Sequence, residues 1–289
     1  MRKVVLAGAL AILIATGGAL SVLASAAGTS NPKMATCHGR GATTTTTSRG
    51  PTAGRTLVFD DEFSGGSLDQ RRWSKYFSAG DGGNGLRRPS AISLDGSGHL
   101  VITARMINGT IVSGGMSANR NDINGYYEVC VRTDVDPTGT TSGVVLTWPQ
   151  SGNWPTDGEC DIYETGNAAG TRTPFYSFVH YSSTNKQYWF RHKADASQWH
   201  MVGMDWTANA IKIYRDGVLV WTITDPAAIP DVAHHIALQL DATATRTLTR
   251  TVRMSSHARR LRQDLAVAAP TVRTQWATLM PRALMLSSC

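Results

Sequence analysis

From Leu57 onward the chain alternates apolar and polar residues in short runs, each closed by Gly, Asp, Asn or Pro. Leu100-Val101-Ile102-Thr103-Ala104-Arg105, Tyr126-Tyr127-Glu128-Val129-Cys130-Val131-Arg132, Ser177-Phe178-Val179-His180-Tyr181 and His235-Ile236-Ala237-Leu238-Gln239-Leu240 all keep a period of two. That is the spacing at which side chains reach one face of a pleated strand. Ile211-Lys212-Ile213-Tyr214-Arg215 and Val218-Leu219-Val220-Trp221 are separated only by Asp216-Gly217. Asp-Gly tolerates the positive φ angles of a type I′ turn, so these runs predict a hairpin. No part of the body holds a 3.6-residue apolar period over three turns. Many short strands at fairly regular spacing predict an all-β sandwich or barrel.

The two ends depart from this pattern. Arg2 and Lys3 precede the apolar run Val4 to Thr16, and Ala24-Ser25-Ala26 follows. A basic start, a short apolar stretch and small residues fit a secretory signal peptide over residues 1–27, and so a secreted, extracellular product. The run is shorter than the roughly 20 residues that span a bilayer. Residues 28–55, with five consecutive threonines from Thr43 to Thr47, cannot bury enough apolar surface to offset ordering entropy and predict a disordered linker. The globular domain is expected over residues 56–254. From Ser255 the chain turns arginine-rich without strand alternation, and a basic tail of low order is expected over residues 255–289.

Charge and cysteines narrow the compartment and the partners. The net charge is +7; residues 1–55 supply six basic groups and no acid, and residues 255–289 supply five arginines and one aspartate, which leaves −3 for the body. Nucleic-acid binding needs basic surface on the fold itself, so no nucleic acid is expected, nor a membrane once the leader is removed; a monomer is expected. Four cysteines, Cys37, Cys130, Cys160 and Cys289, allow three disulfide connectivities in an oxidising compartment. Cys130 and Cys160, both in strand-like runs, are the pair expected first. None has the spacing of a metal site.

The candidate chemistry lies in Glu159-Cys160-Asp161-Ile162-Tyr163-Glu164. On a helix the three acids would point in divergent directions. On a strand Glu159 and Asp161 share a face, and Glu164, an odd number of residues on, would face the other way unless a β-bulge adds one residue at Ile162 or Tyr163. Three acids crowded on one face repel one another, which raises the pKa of the member that must hold a proton. Glycosidic-bond hydrolysis with retention uses such a set: one ionised carboxylate as nucleophile and one protonated carboxyl as acid, roughly 5–5.5 Å apart. A solvated acidic edge or a calcium site is the competing reading. Trp148 and Trp154, just upstream, favour the first, because sugar rings stack on aromatic faces.

These residues resemble glycoside hydrolase family 16, the laminarinase-like group with the bulged pattern Glu-x-Asp-x-x-Glu. Phe59-Asp60-Asp61-Glu62-Phe63 with Trp73, Gly125-Tyr126-Tyr127-Glu128, and Trp199 through Gly217 are also similar to segments of that family. The resemblance covers about Leu57 to Met254. It implies a jelly-roll β-sandwich of the concanavalin A type with a concave catalytic sheet. It also implies Glu159 as nucleophile, Glu164 as acid/base and Asp161 as the acid that holds and tunes the nucleophile. Trp148, Trp154, His180, Gln239 and Arg88 would bind substrate. No cofactor is required by this chemistry; a structural calcium, carried by some members, is left open. The implied activity is endo-hydrolysis of a β-linked glucan, most of all β-1,3-glucan. A transglycosylase with the same chemistry and a carbohydrate-binding module or lectin on the same sandwich are the alternatives. Ser255 onward departs from the strand with which the family normally closes.

Overall fold

The period-two patterning of the body folds, in a computed structural model, as seventeen strands among the described residues, which are Cys37, 54–243 and 247–264. The expected leader and nearly all of the expected linker lie outside them. The first group is β1 (Arg55–Asp61), β2 (Trp73–Lys75), β3 (Ser78–Ala79), β4 (Leu86–Arg87), β5 (Ile92–Leu94), β6 (Leu100–Ile107), β7 (Thr110–Ala118) and β8 (Gly125–Thr133). The middle group is β9 (Thr141–Pro149), β10 (Glu159–Glu164), β11 (Phe175–Tyr181) and β12 (Lys186–His192). The last is β13 (His200–Thr207), β14 (Ala210–Arg215), β15 (Val218–Ile223), β16 (His234–Ala242) and β17 (Val252–Asp264).

Antiparallel pairing builds two layers. One runs β2-β7-β16-β9-β10-β11-β12. The other runs β15-β14-β13-β8-β17, with β6 and β1 sharing the far side of β17 and β5 beyond β6. The β6–β7 hairpin joins the layers at one edge. Val129 and Val131 from the second layer and Ile162, Tyr163, Ile236 and Leu238 from the first meet in one apolar core. This is the all-β sandwich that the alternation predicts, in the jelly-roll form that the family resemblance implies, with the first layer as the concave sheet. The predicted hairpin is present: Arg215 pairs with Val218, and Asp216 and Gly217 have φ of 50° and 82°.

Two expectations are corrected. Ser255 to Asp264 is not a tail of low order but the second half of β17, paired to β8 and then to β1. Val252, Met254 and Ser256 point inward, the register then shifts between His257 and Arg259, and Leu261 takes the inward place. That bulge breaks the alternation, so the strand does not read as one, and its arginines mask what remains. The tail expected after Asp264 lies outside the described residues.

The disulfide is Cys37–Cys130, not Cys130–Cys160. Cys160 is free and sits in the central core. Cys130 falls between the inward-facing Val129 and Val131, so it points to the opposite side of its sheet, where it packs with Cys37, Met201 and Trp199. Two strand-borne cysteines on opposite sides of a sheet layer cannot reach one another. Cys289 lies outside the described residues.

Candidate active site

β10 crosses the middle of the concave sheet between β9 and β11. Glu159 pairs with His180 and Asp161 with Phe178, but the next pair on that side is Glu164 with Tyr176. Toward β9, Asp161 pairs with Leu146 and Tyr163 with Val145, so Ile162 is the inserted residue. Ile162 and Tyr163 therefore both point into the core, each fully buried. The Ser177 hydroxyl donates to the displaced Ile162 carbonyl at 2.7 Å, and the Tyr163 hydroxyl donates to Thr133 Oγ1 at 2.9 Å. These bonds hold the bulge from the core side. Its result is that Glu159, Asp161 and Glu164 all line one open cleft of about 800 Å³.

The cleft gathers most of the residues singled out from the sequence. Trp148, Trp154, His180 and Gln239 line it together with the three acids. Trp148 and Trp154 stack with ring centres 6.1 Å apart, and the Trp154 indole N–H donates to Glu159 Oε2 at 2.5 Å. His180 Nδ1 lies 2.8 Å from Asn185 Oδ1, an atom that can only accept, so Nδ1 carries the hydrogen. His180 Nε2 faces Asp161 Oδ2 at 3.3 Å.

Arg88 is the exception. Its guanidinium lies over the Phe77 ring, 4.2 Å from the centroid, and donates to the Ser78 and Arg87 carbonyls, outside the cleft lining. The neighbouring Arg87 takes the place in the cleft, in a 2.6 Å ion pair with Asp241 from β16. Tyr76 lies against Arg87 and packs closely on Gly115, where a Cβ would come within 2.6 Å of the ring. Sequence reading missed Arg87, Asp241 and Tyr76. Arg87 and Asp241 are 154 residues apart and carry no local motif. For the Arg87–Arg88 pair, strand parity alone decides which one faces the groove.

Electrostatically the acids are under-compensated. Burial and then the neighbouring Asp161 push the Glu159 carboxyl well above the usual range, against the pull of His180 and the Trp154 N–H. Burial and then Glu164 raise Asp161 in the same direction. Glu164 is raised by burial, opposed by His180. Carboxyls so placed cannot all ionise together, so at least one holds a proton that it can give to a bound substrate.

Among the described residues, the metal-ligating side chains that come within 4.8 Å of one another are Glu159, Asp161 and His180, and separately Cys37, Cys130 and His257. The second set is consumed by the disulfide. The first offers two carboxylates and an imidazole, whereas calcium takes six to eight oxygens, so these donors do not fit that ion. No helix among the described residues is long and apolar enough to cross a membrane.

Comparison with known proteins agrees with this architecture. Residues 85–251 match the sequence profile described as Glycosyl hydrolases family 16. The catalytic domain of an endo-1,3-β-glucanase (laminarinase) from Thermotoga petrophila RKU-1 superposes with a TM-score of 0.63 at 18% identity, covering 73% of this chain and 98% of that one. The laminarinase from Flavobacterium sp. UMI-01 gives 0.62 at 19% identity, covering 72% and 100%. A family 16 protein of the Bacteroides ovatus mixed linkage glucan system, in complex with a G4G4G3G product, gives 0.61 at 18%, covering 71% and 99%. No curated protein sequence matches the chain.

Proposed function

The chain belongs to glycoside hydrolase family 16, and on that premise we propose that it is a secreted endo-acting hydrolase of β-linked glucan, with β-1,3-glucan as the preferred substrate, acting with retention. The observation that carries this reading is the one-residue bulge that brings Glu164 to the same cleft as Glu159. Without it, two carboxylates could not act on one anomeric centre.

In the proposed mechanism Glu159 attacks the anomeric carbon while Glu164 protonates the departing glycosidic oxygen. The sugar remains as an ester on Glu159 until Glu164, now a base, takes a proton from water, and the water oxygen displaces Glu159 from the same face on which the leaving group stood. Trp154 N–H and the Asp161–His180 pair hold and tune the Glu159 carboxylate. The stacked Trp148 and Trp154 rings offer apolar surface to pyranose faces, and Arg87 with Gln239 offers donors to their hydroxyls. Laminarin and laminarinase substrates enter this reading through the family likeness and the two laminarinases above.

The test is reducing-sugar release from laminarin. Wild type releases it, and Glu159→Gln and Glu164→Gln each lower the rate by about 10²–10⁴-fold or more. NMR of the earliest products shows the β-anomer first. Binding without turnover in the wild type would make the chain a lectin. Transfer to sugar acceptors in place of water would make it a transglycosylase, and an inverted first product would remove Glu159 from the role of nucleophile.

A further inference from the structure

The aromatic lining of the concave face does not stop at the acids. Trp154 lies 6.0 Å from His180, His180 lies 6.0 Å from Phe178, and Phe178 lies 5.9 Å from Tyr176. Tyr176 in turn meets Trp189 of β12 at 6.3 Å. Tyr176, Phe178 and His180 alternate along β11 and so share the face on which His180 lines the cleft. β12 continues that face: Gln187, Trp189 and Arg191 stand opposite His180, Phe178 and Tyr176.

Trp189 is 58% exposed, the most exposed tryptophan among the described residues. It stands on the outermost strand of the concave sheet. An exposed indole on an edge strand invites unwanted association, so its place beside two half-buried rings in line with the cleft calls for an occupant. A pyranose suits it: the C–H faces of the ring match indole and phenol surfaces, and its rim of hydroxyls needs donors and acceptors such as Arg191 and Gln187.

We propose that Tyr176, Phe178 and Trp189 form a distal sugar-binding platform on which the same glycan chain is held beyond the unit being cleaved. This rests on the glucan-hydrolase reading of the cleft. Neighbouring strands lie about 4.8 Å apart, so β12 stands roughly 10 Å from β10, and only a chain extending past the cleavage point reaches it. The platform therefore selects for long substrates, as an endo-acting enzyme requires.

The experiment is equilibrium binding, read by tryptophan fluorescence and calorimetry. It uses the full chain carrying Glu159→Gln, with laminari-oligosaccharides of increasing length and with laminarin. Adding Trp189→Ala weakens binding of the longest ligands by about tenfold more than of the shortest, and Trp189→Phe recovers most of the loss. In parallel, Trp189→Ala in the otherwise native chain lowers the ratio of kcat/KM on long to short substrates through KM. An equal loss at every length, no loss, or a change in oligomeric state in place of a change in sugar binding overturns the platform. Length-dependent binding through Trp189 in a chain whose wild type turns over no glucan would uphold the platform and overturn the hydrolase reading.

Discussion

Asp136 and Asp161 are both shut off from solvent, at 0% and 3% exposure, yet their carboxyls are displaced in opposite directions. Asp136 opens the loop before β9. Burial alone would raise it, but the Thr138 amide and hydroxyl, the Thr141 hydroxyl and the Thr140 amide all donate to it, and it falls to about 2. The same loop is backed by the buried Arg172, which donates to the Thr141 and Asp134 carbonyls at 2.7 and 2.8 Å. Asp161 is as closed to solvent and lies deeper in the protein; its neighbours are Glu159, Glu164 and one histidine, and it rises. The sign follows from the balance of burial depth against the number of donors. A fully bonded acid works as a structural pin; an under-bonded one costs stability, and in the proposed mechanism it is kept for chemistry.

This contrast can be broken at several points. The largest effect is expected at the pin: Asp136→Ala strands several buried donors and lowers the unfolding free energy by about 2–4 kcal/mol in urea titration, whereas Asp161→Asn in the same assay loses little or gains. Equal losses at both positions would mean that the two acids do the same work.

The next is in the pH profile. Asp136 has a folded pKa of about 2 against roughly 3.9 unfolded, so its contribution is complete above pH ~4 and is lost as pH falls toward 2. The Asp161 shift has the other sign: the native state binds the proton more tightly, so the protonated form favours folding below pH ~4 and that advantage is lost as pH rises through its elevated titration. Unfolding measured from pH 2 to 8 in Asp136→Asn and Asp161→Asn should therefore give difference curves of opposite slope.

The smallest effect is thermal. Glu159→Gln replaces a carboxyl whose ionisation the fold disfavours and raises Tm at pH 7 by about 2–4 °C, the shift that about 1 kcal/mol produces in a domain of this size, and the gain vanishes near pH 4. A Tm that falls at neutral pH would show that the ionised Glu159 is adequately solvated by its partners.

How much of this could be read beforehand depended on whether a feature was local. The concave strand announced itself because three acids with an inserted residue carry their geometry in their spacing, and Asp216-Gly217 carries its turn in two residues. β17 hid because its bulge switches the inward parity between Ser256 and Leu261. The disulfide hid because the side of a sheet to which Cys130 points depends on which of its neighbours are core, and Val129 and Val131 look no different from surface valines until the second layer is in place. Arg87 and Asp241 meet only through tertiary pairing, and the Tyr176–Phe178–Trp189 row needs the β11–β12 register before its members can be placed side by side.

The Cys37–Cys130 bond gives the polypeptide a second covalent path around the stretch that precedes Arg55. Proteolytic cuts between residues 38 and 129 leave both fragments on one molecule until the bridge is reduced. Electrophoresis without reductant will therefore show an intact band for a nicked enzyme, and whatever is joined to the amino side of Cys37 stays with the catalytic domain after such a cut.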